Sequence, residues 1–189
     1  MVVDGVVLAG GLSSRMMQDK ALLYRDKRDM LTFTIELIST LPINELFVSR
    51  NDGVGDDASA YQLVSDEVAN IGPLGGIYSV VKRSTADALI ITPVDLPLLL
   101  HDDLLKLVDE GRESQTPVYY AHHYLPLFLP ITPQLRHYLE DVAFERIPQR
   151  SVHALCSKFN AKQILPSDKE RLTNANTPAQ WNAVKKLID

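Results

Sequence analysis

Two adjacent glycines, two hydroxyls and two cations follow one another in the run Leu8-Ala9-Gly10-Gly11-Leu12-Ser13-Ser14-Arg15, which closes at Asp19-Lys20. Glycines let the backbone approach a ligand closely, and successive amides can point at one anion. Arg15 and Lys20 add positive charge beside them. A nucleoside triphosphate needs its charge offset and its leaving pyrophosphate oriented, and amides near Gly10 to Ser14 together with Arg15 and Lys20 can do both. The spacing is neither G-x-G-x-x-G nor a full Walker A pattern. Gly10 and Gly11 alone would also suit a plain strand-to-helix turn; the flanking charges favour a nucleotide.

Three further segments carry candidate chemistry. Thr92-Pro93-Val94-Asp95-Leu96-Pro97 places an acid just beyond an apolar strand, where Asp95 could hold Mg²⁺ against nucleotide phosphates or cap the helix that follows. Asp66 precedes Gly72-Pro73-Leu74-Gly75-Gly76; it could orient a nucleoside or acceptor, or belong to an ordinary tight connection. Asn174 and Asn176 flank Ala175 before Thr177-Pro178; their amides could bind an acceptor phosphate, Asn176 could donate to metal-bound water, or the pair could satisfy turn backbone groups and cap the last helix.

Other residues read more plainly. His101, His122, His123, His137 and His153 lack the spacing of a zinc site and read as surface or turn residues. Tyr119, Tyr120, Tyr124 and Phe128 read as packing residues. Cys156 is the single cysteine, so no internal disulfide can form, and a cytoplasmic location follows.

These motifs need a frame. Val2 to Leu8, Leu46 to Ser49, Tyr61 to Val64 and Ala88 to Thr92 read as strands. Apolar periodicity predicts helices over Leu31 to Leu41, ended by Pro42, and over Gly75 to Val81 and His101 to Glu110. Val118 to Tyr120 and Tyr124 to Leu129 are expected as strands around a His122-His123 turn. Gln134 to Leu139 is expected as a helix, Gln163 to Leu165 as a strand and Pro178 to Ile188 as a final helix. Such alternation predicts a mostly parallel sheet covered by helices. Asn51 to Ala60, with Gly53, Gly55 and three aspartates, reads as a connection.

Composition bounds the function. The 189 residues are 46% hydrophobic and 23% charged, enough for one domain with a full core. A net charge of -5 gives no general attraction to a nucleic acid backbone. Val2 to Ala9 is too short for a signal segment and Leu96 to Leu100 far too short to span a bilayer, so neither nucleic acid nor membrane is an expected partner.

Taken in order, LAGGLSSRMMQDKALL at 8 to 23, SDEVANIGPLGG at 65 to 76, TPVDLPLL at 92 to 99 and LTNANTP at 172 to 178 resemble the molybdenum cofactor guanylyltransferase family, MobA-like enzymes within the sugar-nucleotide-like nucleotidyltransferases. The resemblance runs over nearly the whole chain and is thinnest from about 115 to 165. It implies a Rossmann-like three-layer α/β sandwich with a mostly parallel central sheet, in a single domain spanning 1–189. It implies transfer of GMP from GTP to molybdopterin with release of pyrophosphate.

By the same resemblance, Leu8, Ala9, Gly10, Gly11, Lys20, Asp66, Gly75 and Asp95 bind the nucleotide. Arg15, Lys20 and Asp95 carry catalysis, Asp95 binds Mg²⁺, and Asn174 and Asn176 face the molybdopterin. The implied partners are GTP, molybdopterin or its molybdenum form, and proteins of molybdenum cofactor biosynthesis or cofactor-accepting proteins. The chain departs from the family pattern at Met17, where glycine is usual, and at Leu125-Pro126-Leu127-Phe128, where the segment usually begins with histidine. Two rival readings are a related nucleotidyltransferase with another donor or acceptor, and a noncatalytic nucleotide-binding regulator.

Overall fold

Val3–Leu8 carries six consecutive buried residues and forms β1, the third of seven strands in the main sheet. The computed structural model describes residues 1–10, 24–25, 28–50, 60–68 and 71–188. Tyr24–Arg25 (β2) and Arg28–Asp29 (β3) pair as a small separate hairpin that leads into helix α1, Met30–Ser39. The Asp29 carboxylate caps that helix by accepting from the Thr32 amide at 2.7 Å.

The chain continues through β4 (Leu46–Ser49), β5 (Gln62–Val64), α2 (Pro73–Arg83), β6 (Ala88–Pro93) and α3 (His101–Ser114). It then forms β7 (Val118–Tyr120), β8 (His123–Pro130), α4 (Pro133–Ala143), α5 (Val152–Lys158), β9 (Lys162–Ile164) and α6 (Pro178–Ile188), with a 3-10 turn at Glu170–Leu172. The strand order is β5-β4-β1-β6-β8-β7-β9. Among the described strands of this sheet only β8 runs against its neighbours, so the sheet is mostly parallel.

Alternation along the strands builds two cores. Leu89, Ile91, Leu127 and Leu129 face α2, α4 and α5, while Ile90, Phe128 and Val118 face α1 and α3. The result is the expected α/β three-layer sandwich, with helices on both faces of the sheet.

Most expected elements are present, with ends shifted by a few residues. α4 runs to Ala143, past the expected Leu139, because Tyr138, Leu139, Val142 and Ala143 are all buried. α5 and the β2–β3 hairpin are additions to the expected set. α5 is only seven residues long and starts at the Ser151 cap, so its apolar repeat spans too few turns to register. At the sheet's amino end Asp4 is fully buried and accepts from Ser84 Oγ at 2.6 Å, Asn44 Nδ2 at 3.2 Å and the Glu45 amide at 3.1 Å. It ties three chain segments together there. Of the expected connection at 51–60, all but Ala60 lies outside the described residues.

Candidate functional site at the carboxyl rim of the sheet

The chain runs from β1 to β4 and β5 on one side, then returns to β6 on the other side of β1. This is a topological switch point, and open α/β sheets bind ligands in the crevice outside the carboxyl ends of such strands. Backbone bonds hold the rim in line. The Ala9 amide donates to Ser49 O at 2.9 Å, the Val94 amide to Leu8 O at 3.3 Å and the Arg50 amide to Val64 O at 3.0 Å.

Asp66 lies two residues beyond β5 and accepts from Ser49 Oγ at 2.9 Å. A methyl group built on Gly10 would sit 4.0 Å from Asp66 Oδ2, and one built on Gly75 would sit 3.6 Å from the same oxygen. Residues from two separate motifs therefore surround one carboxylate. A side chain at Gly75 would also crowd Val68 O at 3.1 Å, so glycine lets the loop after β5 pack closely on the start of α2. Gly72 opens α2 with φ 62, a left-handed conformation natural to glycine.

Asp95 stands two residues past β6 and is half-buried. Asn174 Nδ2 donates to its Oδ2 at 3.4 Å, and the Ala175 amide donates to its backbone oxygen at 2.9 Å. Asp95 does not cap α3. That helix begins with the Leu100 amide donating to Asp103 Oδ2 at 3.1 Å. Nor does the asparagine pair supply the cap of α6, because Thr177 Oγ1 accepts from the Gln180 amide at 3.2 Å while Gln180 Oε1 accepts from the Asn176 amide at 2.9 Å. Asn174 is thus turned to the acid, and Asn176 meets the helix start through its backbone.

The late segment is anchored from behind. Leu172 and Ala175 are buried, and Arg171 reaches the buried Asp103 carboxylate at 3.5 Å. Tyr120 donates its hydroxyl to Asp103 O at 2.7 Å, and burial, followed by the Asp103 charge, pushes the ionisation of that phenol upward. Sequence reasoning passed over Ser49, Asp103 and Arg171. For Ser49 a signal existed, a hydroxyl closing an otherwise apolar strand; for the Arg171 to Asp103 pair there was none.

Leu8, Ala9, Gly10, Asp66, Gly75, Asp95 and Asn174 all belong to this rim. Gly11, Ser13, Ser14, Arg15, Met17 and Lys20 lie outside the described residues. Among the described residues no cluster of three or more His, Cys, Asp or Glu could hold a metal ion. One carboxylate completed by substrate phosphates and water is nevertheless an ordinary donor set for Mg²⁺. Asp95 offers that carboxylate, and an ion there would arrive with the nucleotide instead of filling a preformed cage.

The expected turn is present at His122, which has φ 67, but His123 already belongs to β8; burial, then His122 itself, holds the His123 imidazole below its ordinary range. Tyr120 and Phe128 are fully buried, as packing residues should be. Tyr124 is not; it is 36% exposed. Among the described residues no helix is long and apolar enough to cross a membrane.

Comparison with known proteins agrees with the geometry. The MobA-like NTP transferase domain matches residues 5–164. A molybdenum cofactor guanylyltransferase of Xanthomonas euvesicatoria pv. vesicatoria (strain 85-10) is 34% identical over 181 residues, covering 94% of this chain and 92% of the relative. The crystal structure of molybdopterin-guanine dinucleotide biosynthesis protein A from Archaeoglobus fulgidus superposes with a TM-score of 0.77 at 16% identity, over 97% of each chain. That of 2-C-methyl-D-erythritol 4-phosphate cytidylyltransferase from Thermus thermophilus gives 0.72 at 10% identity, over 96% of each chain. Both structures share the fold. With a nucleotide-type rim at the switch point and a family match over most of its length, the chain belongs to the MobA-like NTP transferase family, and is a nucleotidyltransferase-type enzyme.

Proposed function

We propose that this enzyme transfers GMP from GTP to molybdopterin, with Mg²⁺, and releases pyrophosphate. The observation that carries the proposal is the gathering of Gly10, Asp66 and Gly75 on one side of the β1/β6 switch point and the Asp95 to Asn174 pair on the other. The nucleoside lies against Gly10, Asp66 and Gly75. Leu8, Ala9 and the amides of Gly10 and Gly11 line its phosphates, and Arg15 and Lys20 offset their charge.

An oxygen of the acceptor's phosphate attacks the α-phosphorus of GTP. The bond from that phosphorus to the oxygen bridging the α and β positions breaks, and pyrophosphate leaves with the electron pair. The acceptor phosphate is already anionic, so no strong base is needed, and no side chain becomes covalently attached. Alignment and charge neutralisation carry the rate enhancement. When bound, Mg²⁺ supplies a Lewis acid for the phosphate oxygens. Asp95 would hold it, and Asn174, donating to the same carboxylate, keeps that carboxylate oriented; Asn176 faces the acceptor side.

Guanine and molybdopterin are favoured by the Xanthomonas relative, which carries that name and matches over 94% of the chain. The cytidylyltransferase fold match favours a second reading, the same phosphate machinery with a different base or acceptor. Pyrophosphate release measured with each of the four nucleoside triphosphates, Mg²⁺ and purified molybdopterin separates them. GTP-selective turnover is expected. Turnover with CTP and none with GTP would transfer the assignment to the second reading.

A further inference from the structure

We infer that Tyr124 and His153 form a stacking platform for a flat heteroaromatic ring of the acceptor; this rests on the transferase reading above. Because β8 runs against β6, its amino end lies at the same rim as the carboxyl end of β6. Adjacent strands lie about 4.8 Å apart, so Tyr124, the second residue of β8, stands one strand from the segment that delivers Asp95. The strands β1, β4 and β5, with the nucleotide residues, lie on the opposite side of β6. With the nucleoside placed on the β1–β4–β5 side, the β8 side of the Asp95 segment is the part of the rim left to the acceptor.

Three rings from three elements meet there. The Tyr119 and Tyr124 ring centroids are 5.2 Å apart with planes 27° from parallel, and Tyr124 and His153 are 5.0 Å apart at 41°. Those separations are typical of interacting aromatic pairs. The stack is not a core device at its outer end, since His153 and Tyr124 are exposed whereas Tyr120 and Phe128 on the same two strands are fully buried.

A second feature points to a ligand. His153 also lines a groove of about 790 Å³ between α4 and α5, whose apolar surface comes from Tyr138, Ile147 and Phe159. That is the size of a small-molecule site, with an apolar floor and polar side chains such as Gln134, Gln149 and Lys158 around it. His153, the outer ring of the stack, therefore borders a space large enough for an organic ring system. Cross-strand support of the sheet would explain Tyr119 against Tyr124. It explains neither the exposed imidazole continuing the stack nor the groove beyond it.

The test compares the full-length protein with Tyr124→Leu, His153→Ala and the ring-retaining Tyr124→Phe. Tyr124→Leu is expected to raise the acceptor KM about tenfold, the usual size of a lost stacking contact, with the GTP KM within about twofold. His153→Ala shifts the same parameter, and Tyr124→Phe restores it. Quenching of pterin-6-carboxylate fluorescence, used as a free probe, should saturate with wild type and Tyr124→Phe and vanish with Tyr124→Leu. Pyrophosphate release by wild type with an unchanged acceptor KM in Tyr124→Leu overturns the platform and leaves the transferase reading standing. Saturable pterin quenching lost in Tyr124→Leu, with no pyrophosphate release by wild type, supports the platform and overturns the transferase reading. Equal losses in GTP KM, acceptor KM and melting temperature would reduce Tyr124 to a structural residue and overturn the proposal.

Discussion

The Asn174 side chain donates to the Asp95 carboxylate across 3.4 Å, joining positions 79 residues apart at the rim of the sheet. The neighbouring Ala175 amide binds the Asp95 backbone oxygen at 2.9 Å, so the contact is made twice, once through side chains and once through the main chain. Two bonds from one segment fix where that acid points.

Asp95→Asn keeps the shape and removes the charge. Nucleotidyl transfer is expected to fall by about 10²-fold or more, the scale of losing a group that organises transition-state charge. The melting temperature should move by no more than about 2 °C, since the backbone bond to Ala175 remains. Steady-state pyrophosphate release across a Mg²⁺ titration, with a thermal melt, checks both, and full turnover would remove Asp95 from the site.

Ser49→Ala removes the hydroxyl that orients Asp66 from 2.9 Å while leaving the strand intact. One hydrogen bond to a charged acceptor contributes about 1.5 kcal/mol, so the GTP KM should rise roughly tenfold with little change in kcat. Isothermal titration with GTP gives an independent reading. Unaltered affinity would mean that Asp66 needs no such support.

Arg171→Ala breaks the 3.5 Å contact with the buried Asp103 and loosens the base of the segment that carries Asn174. The acceptor KM should rise severalfold with a smaller rise in the GTP KM, because Gly10, Asp66 and Gly75 hang on other elements and only Asp95 is touched by the loosened segment. Arg171→Lys should recover part of the loss. A parallel rise in both constants would place the damage in the fold as a whole.

Cys156 offers a probe of stability. Burial pushes its thiol up to about 12 from an ordinary 9.0, so the native protein should react with thiol reagents at pH 8 only as fast as it opens. The sign follows from the raised value: the folded form keeps its proton longer than the unfolded form. The stabilisation is therefore complete below pH 9 and is lost as pH rises toward about 12. Urea midpoints should fall over that interval in wild type and less in Cys156→Ala; identical slopes would show that the thiol does not govern it.

Local chemistry in the chain determined the elements and the candidate residues. The apolar runs at Val3–Leu8 and Ala88–Pro93, the Gly72-Pro73 break and the periodicity of α3 each express themselves within a few residues. That is why the α/β class and the rim residues Gly10, Asp66, Gly75 and Asp95 could be read directly. The seven-residue α5 was too short to be seen that way.

Only the tertiary structure decided which of those residues meet. Asn174 finds Asp95, Ser49 finds Asp66 and His153 finds Tyr124 because the strand order lays distant segments side by side. That order follows from how two whole faces of helices cover one sheet, a property of the packed core that no single stretch of residues contains.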